Sequence, residues 1–112
     1  MSNTVNTKTG IQSYTNKTLH ESLGVALNTS VAAGGDILPA AVTMPFDGTA
    51  IIDLYVSAAT TISAIINGTS ATIYTFSAAG YVQITLELAL GDTLNLSSSA
   101  AATISATVGA KV

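Results

Sequence analysis

Val82, Ile84, Leu86 and Leu88 alternate with Tyr81, Gln83, Thr85 and Glu87, and after Gly91-Asp92 the alternation resumes at Leu94 and Leu96. Successive side chains of a strand point to opposite faces, so a period of two marks a strand with one buried face. From residue 49 onward this period is nearly unbroken, which leaves little room for anything but sheet. Ala50, Ile52, Leu54 and Val56 share one face of residues 49–56, opposite Ile51, Asp53 and Tyr55. Ile62, Ala64 and Ile66 share a face of the next run. Asn67-Gly68 then marks a tight hairpin, because both residues tolerate the positive φ of a type I′ turn. Residues 69–76 run back, SAAG turns, residues 81–88 and 93–97 follow, and SSSAAA leads to a last strand within TISATV.

Upstream, GVALNTSVAA reads as a strand with Val25, Leu27, Thr29 and Val31 on one face. AAVTMP reads as a shorter one between Pro39 and Pro45, residues that cannot donate to a ladder and so belong at edges or strand ends. Leu19, Leu23 and Leu27 are spaced four apart, which allows a short helix or turn ending at Gly24. The expectation is an all-β chain: a single β-sandwich or jelly-roll-like domain of about eight short antiparallel strands, residues 21–112, preceded by an extended N-terminal arm, residues 1–20. Its expected core is Val25, Leu27, Val31, Ile52, Leu54, Val56, Ile62, Ile66, Ile73, Val82, Ile84, Leu86, Leu88, Leu94, Leu96, Ile104 and Val108.

The chain carries few charges to keep such a sheet in water. Charged residues are 8% of its 112 residues, against roughly a quarter in an ordinary domain, and mean hydropathy is +0.54. Ser, Thr, Asn and Gly interrupt every apolar run well short of the roughly 18–20 residues of a membrane-spanning helix. Aromatic residues, at 5%, are too few for the girdles of a small transmembrane barrel. Ala, Ser and Thr make up about four residues in ten and lose little rotamer freedom when covered. Such a composition describes a surface meant to be packed against something.

A net charge of −3 and only three basic residues argue against binding nucleic acid through its phosphates. The charge is uneven, for residues 1–20 hold Lys8, Lys17 and His20 and no acid. Cysteine is absent, and the start MSNTVNTKTG lacks the basic and apolar regions of a secretory signal, so the expected site of assembly is the compartment of synthesis.

Residues suited to catalysis are scarce. Nucleophilic catalysis needs a base touching a Ser, Thr or Cys, and the single histidine, His20, sits beside Glu21 in a stretch that reads as a polar turn. No enzyme, cofactor or metal is expected. Asp36, Asp47 and Asp92 stand in Gly-Asp or Asp-Gly pairs typical of turns, where the carboxylate caps backbone N–H groups, and no spacing matches a calcium loop. Asn16, Asn28, Asn67 and Asn95 open N-x-S/T triplets that chance supplies in so polar a chain. Tyr55, Tyr74 and Tyr81 fall opposite the aliphatic stripes, suited to a subunit contact or to a sugar platform. The absence of Trp favours the contact.

PFDGTA, the ING hairpin, the AAGY turn, ITLELALGDTLNL and the final strand together resemble small β-sandwich proteins of tailed-bacteriophage virions: capsid decoration (cement) proteins, head fibres and fibre tips. Residues 80–94 are also similar to the penultimate strands of C1q/TNF-like trimeric jelly rolls, although the aromatic residues those domains bury are missing. The resemblance implies a non-enzymatic virion surface protein, assembled in the host cytoplasm as a homo-oligomer, commonly a trimer, bound to a major capsid protein or another virion protein. It also implies docking through the arm, with Lys8, Ile11, Tyr14, Lys17 and Leu19 as candidate contacts. The alternatives are a receptor- or glycan-binding fibre tip and a self-assembling surface or filament subunit. Neither a nucleic acid nor a membrane is an expected partner.

Overall fold

The computed structural model describes residues 20–112. Among them are eight strands and no helix: β1 (His20–Val31), β2 (Val42–Thr43), β3 (Gly48–Val56), β4 (Thr60–Ile66), β5 (Thr69–Phe76), β6 (Gly80–Leu88), β7 (Thr93–Ser98) and β8 (Ala102–Lys111). They form two antiparallel four-stranded sheets, ordered β1-β8-β3-β6 and β2-β7-β4-β5. The pairs β1·β8, β2·β7, β3·β6 and β4·β5 nest inside one another. The chain is therefore one long hairpin, folded at Asn67-Gly68 and rolled so that alternate pairs fall in opposite sheets. That is a jelly roll. The hairpin tip is the expected one, with φ of 52° at Asn67 and 84° at Gly68.

Alternation converts directly into a core. On β3 the side chains of Ala50, Ile52, Leu54 and Val56 are fully buried, and their neighbours on β8, Ala110, Val108, Ala106 and Ile104, complete the same layer. Ile62 and Ala64 of β4 and Leu94 and Leu96 of β7 supply the facing layer. Large side chains set beside alanines let the two layers interdigitate across the roughly 10 Å that separates packed sheets. Gly48 starts β3 because any Cβ there would collide with the Lys111 carbonyl.

Three expectations need correction. The short helix or turn at Leu23 and Leu27 is absent, and the polar turn at His20 is likewise strand, since both lie in β1. Val25 and Leu27 are not core residues, being 51% and 68% exposed. The cause is a β-bulge: Leu27 and Asn28 together stand opposite Ser105, between the pairs Ala26↔Ala106 and Thr29↔Ile104. Asn28 takes φ of 48°, which asparagine tolerates, and its N–H donates to Ser105 Oγ at 2.9 Å. One extra residue exchanges the faces, so Ala26 points inward before the bulge and Val31 after it.

The core also gains Ile37 and Leu38, from a segment that the sequence reads as loop. Residues 34–37 pair along β7, through Gly34 N–H to Ser98 O, Ile37 N–H to Leu96 O and the Asp36↔Ser97 bridge. The ladder breaks at Pro39 and resumes with β2. At the break the buried amide of Asn95 stands in for backbone. Its Oδ1 accepts the Leu38 N–H at 3.1 Å, and its Nδ2 donates to the Leu38 carbonyl at 3.4 Å.

Leu54→Ala should lower stability by about 2–5 kcal/mol in denaturant unfolding, the range for emptying a packed core site. Leu27→Ala should leave the midpoint nearly unchanged, a result the sequence-based core would not allow. Asn95→Ala strands both polar groups of a buried Leu38 and should cost about 1–3 kcal/mol.

Candidate interaction face

The outward side of the β1-β8-β3-β6 sheet gathers four of the exposed large side chains, Val25, Leu27, Tyr55 and Tyr81. The register sets Tyr55 of β3 directly opposite Tyr81 of β6 and, on its other side, opposite Ser105 of β8. Asp53 lies one step along, between Gln83 and Thr107, with Val25 beyond Thr107. Leu27, turned outward by the bulge, joins Tyr55, Tyr81 and Ser105 around a shallow depression of about 170 Å³. Tyr55 is 46% exposed and Tyr81 62%. Four large apolar or aromatic residues thus share one face, where water would ordinarily be met by charge.

The polar centre of this face is internally satisfied. The Tyr81 hydroxyl donates to Asp53 Oδ1 at 2.6 Å, and Gln83 Nε2 donates to the same oxygen at 2.9 Å. The Tyr81 hydroxyl, then Gln83, hold the Asp53 carboxyl below its ordinary pKa, with a smaller contribution from Thr107. The same bond to the carboxylate pushes the Tyr81 phenol up. At the other end of β6, Thr49 Oγ1 donates to Glu87 at 2.8 Å. The bond to Asp53 fixes the orientation of Tyr81 on an otherwise open surface.

Of the three tyrosines, Tyr55 and Tyr81 come together and Tyr74 stands apart. Tyr74 lies on β5 of the other sheet, opposite Ile62, with its ring edge-on to Phe76 at a centroid distance of 4.7 Å. It meets Tyr81 only around the Ser77–Ala79 turn, where both line a second shallow depression. The arm residues Lys8, Ile11, Tyr14, Lys17 and Leu19 lie outside the described residues. Sequence reasoning missed Val25 and Leu27 as surface residues. The available signal was Asn28, a residue that tolerates positive φ, inside an otherwise regular strand.

Of the three carboxylates expected to cap turns, Asp47 and Asp92 bind backbone, while Asp36 lies in the bridge to Ser97. Asp92 accepts the Ala89 N–H at 2.8 Å and the Asn67 amide at 3.0 Å, while Asp47 accepts the Leu90 N–H at 2.7 Å. The Asn67 amide bond, then the Ala89 N–H, hold the Asp92 carboxyl below its ordinary value. Among the described residues no group of three His, Asp or Glu side chains converges as a metal site would require. Compared with known protein families and with curated proteins, the chain matches none.

The Asp53 cluster yields a pH prediction. Donors that lower a carboxyl pKa in the folded state favour folding above the ordinary carboxylate range, and the advantage fades as pH falls through the lowered value. Tyr81→Phe should therefore lower the melting temperature slightly at pH 7, and the difference from wild type should shrink below about pH 4. A difference that persists unchanged in acid would detach Tyr81 from the charge on Asp53.

Proposed function

We propose that this chain is a non-enzymatic structural protein of a tailed-phage virion, decorating or stabilising the capsid surface as a homo-oligomer. The observation that carries the reading is the outward strip of Val25, Leu27, Tyr55 and Tyr81 on a charge-poor sheet. Large residues exposed together mark an interaction surface, and tyrosine loses little side-chain entropy on being covered. A chain with 8% charged residues and a surface rich in Ala, Ser and Thr suits permanent burial between subunits better than a life free in solution. The resemblance of residues 45–110 to capsid decoration proteins and head fibres points the same way and implies a trimer. On this reading the arm, with Lys8 and Lys17, docks on acidic ground of the shell, and the protein resides on the virion surface after assembly in the host cytoplasm.

The depression between Tyr55, Tyr81 and Leu27 also suits a sugar ring, which favours the fibre-tip alternative as the second reading. Copy number separates the two. A decoration protein should be present in hundreds of copies when purified particles are quantified by mass spectrometry, and a glycan array should be silent. A handful of copies with a positive array would establish the tip. Removing residues 1–20 should leave the domain folded by circular dichroism but abolish its binding to particles. Undiminished binding would reject the docking role of the arm.

A further inference from the structure

A four-stranded sheet ends in two edges, each presenting unpaired backbone N–H and C=O groups to any strand that arrives, and natural sheets usually blunt them. Three of the four edges here are blunted. β1 is broken by two bulges, β5 by one, and β2 is two residues long between Pro39 and Pro45. The edge strand β6 is different. It pairs with β3 without a register shift over all nine residues, Gly80–Leu88, and holds no proline and a single charge, Glu87. Among the described residues nothing hydrogen-bonds its outer side.

The inward row of β6 is also incompletely covered. Val82, Ile84, Leu86 and Leu88 pack against the core but are only partly buried, unlike the fully buried inward row of β3. β5 and β6 end their respective sheets and are joined by only Ser77–Ala79, so both edges lie on one open side of the sandwich. β5 gives little shelter there, since Thr69–Thr72 are exposed on both faces. An occupant must therefore be a strand, and it must extend the inward row with aliphatic side chains at every second position.

We propose that this occupant is β6 of a second copy, paired antiparallel about a two-fold axis through Ile84, so that the two sheets become one of eight strands. This deepens the packing reading above by naming the contact. Full overlap of Gly80–Leu88 with itself centres on Ile84. It sets Val82 against Leu86 of the second copy, Gly80 against Leu88 and Gln83 against Thr85, with every aliphatic side chain on the inward face. Glu87 then meets Tyr81 rather than another Glu87, so no like charges face each other. The arm is a poorer occupant, because Ser13, Thr15 and Lys17 separate Ile11 from Leu19 on any one strand face. A two-fold contact joins two single copies or two trimers, so it is independent of the three-fold packing that the resemblance implies.

The chain has no cysteine, which makes the register directly readable. Opposed residues of an antiparallel pair lie about 4.5–5.5 Å apart at Cα, within disulfide reach. In the full chain, Ile84→Cys should cross-link to itself on mild oxidation. Gln83→Cys and Thr85→Cys should each stay uncross-linked alone and form a disulfide dimer when mixed reduced and then oxidised. Circular dichroism of each variant confirms the fold, and light scattering of the wild type should give an even multiple of the 11.2 kDa chain. A monomer up to millimolar concentration, or equal cross-linking of Gln83→Cys or Thr85→Cys alone and mixed, would overturn the two-fold register. Particle coating by a chain that fails this test would reject only the β6 contact. Register-specific dimers absent from particles would reject only the virion reading.

Discussion

The inward row of β3 holds the molecule together. Ala50, Ile52, Leu54 and Val56 lie between β8 and β6 in their own sheet and against the layer of β4 and β7. Removing such aliphatic surface from water contributes about 25 cal/mol per Å², and strand alternation delivers it to one face without a helix or disulfide. The nested pairs build outward from this row. β6 returns to β3 across the intervening β4-β5 hairpin, and β8 must return from further along the chain. Most pairings are thus distant in sequence, a topology associated with slow folding.

Because the chain spends most of its large aliphatic residues inside, the outside is rich in Ala, Ser, Thr and Asn, and the large apolar residues left there fall into a few places. The first is the strip of Val25, Leu27, Tyr55 and Tyr81, the second the partly buried row of β6, and beyond them stand Tyr74 beside Phe76 and the isolated Leu90 and Val112. The first and second adjoin through Tyr81, whose hydroxyl is committed to Asp53 and whose ring stays outside. A tyrosine anchored at its polar end presents a fixed apolar surface, which lowers the ordering cost of covering it. The open side of the sandwich and the tyrosine face thus form one continuous region on a single sheet.

Buried polar side chains take over where the backbone ladder fails. Asn95 spans the gap that Pro39 makes beside β7. Thr60 and Ser98 do the same for the turn before β8: Ser98 Oγ donates to the Ala100 carbonyl and Thr60 Oγ1 accepts the Ala100 N–H, the two hydroxyls lying 2.6 Å apart. Each is a small neutral residue whose hydrogen-bonding groups are matched locally, so burial carries no unpaired penalty.

Eight strands, their approximate limits, the Asn67-Gly68 tip and the cores of β3, β4, β7 and β8 were legible in the sequence, because a period of two and a turn dipeptide are local signals. The outward turn of Val25 and Leu27 was not, since it depends on one extra residue opposite Ser105, which only the β1·β8 pairing defines. Nor were Ile37 and Leu38, buried by a ladder to β7 that breaks at Pro39 and is bridged there by Asn95. The identity of the open edge followed from strand order, which alternation leaves undetermined. By itself the chain determined most of the strands, those from β3 onward above all, and that its exterior would be poor in charge. Tertiary pairing decided which face each strand shows to water, because register is fixed by partners far away in sequence.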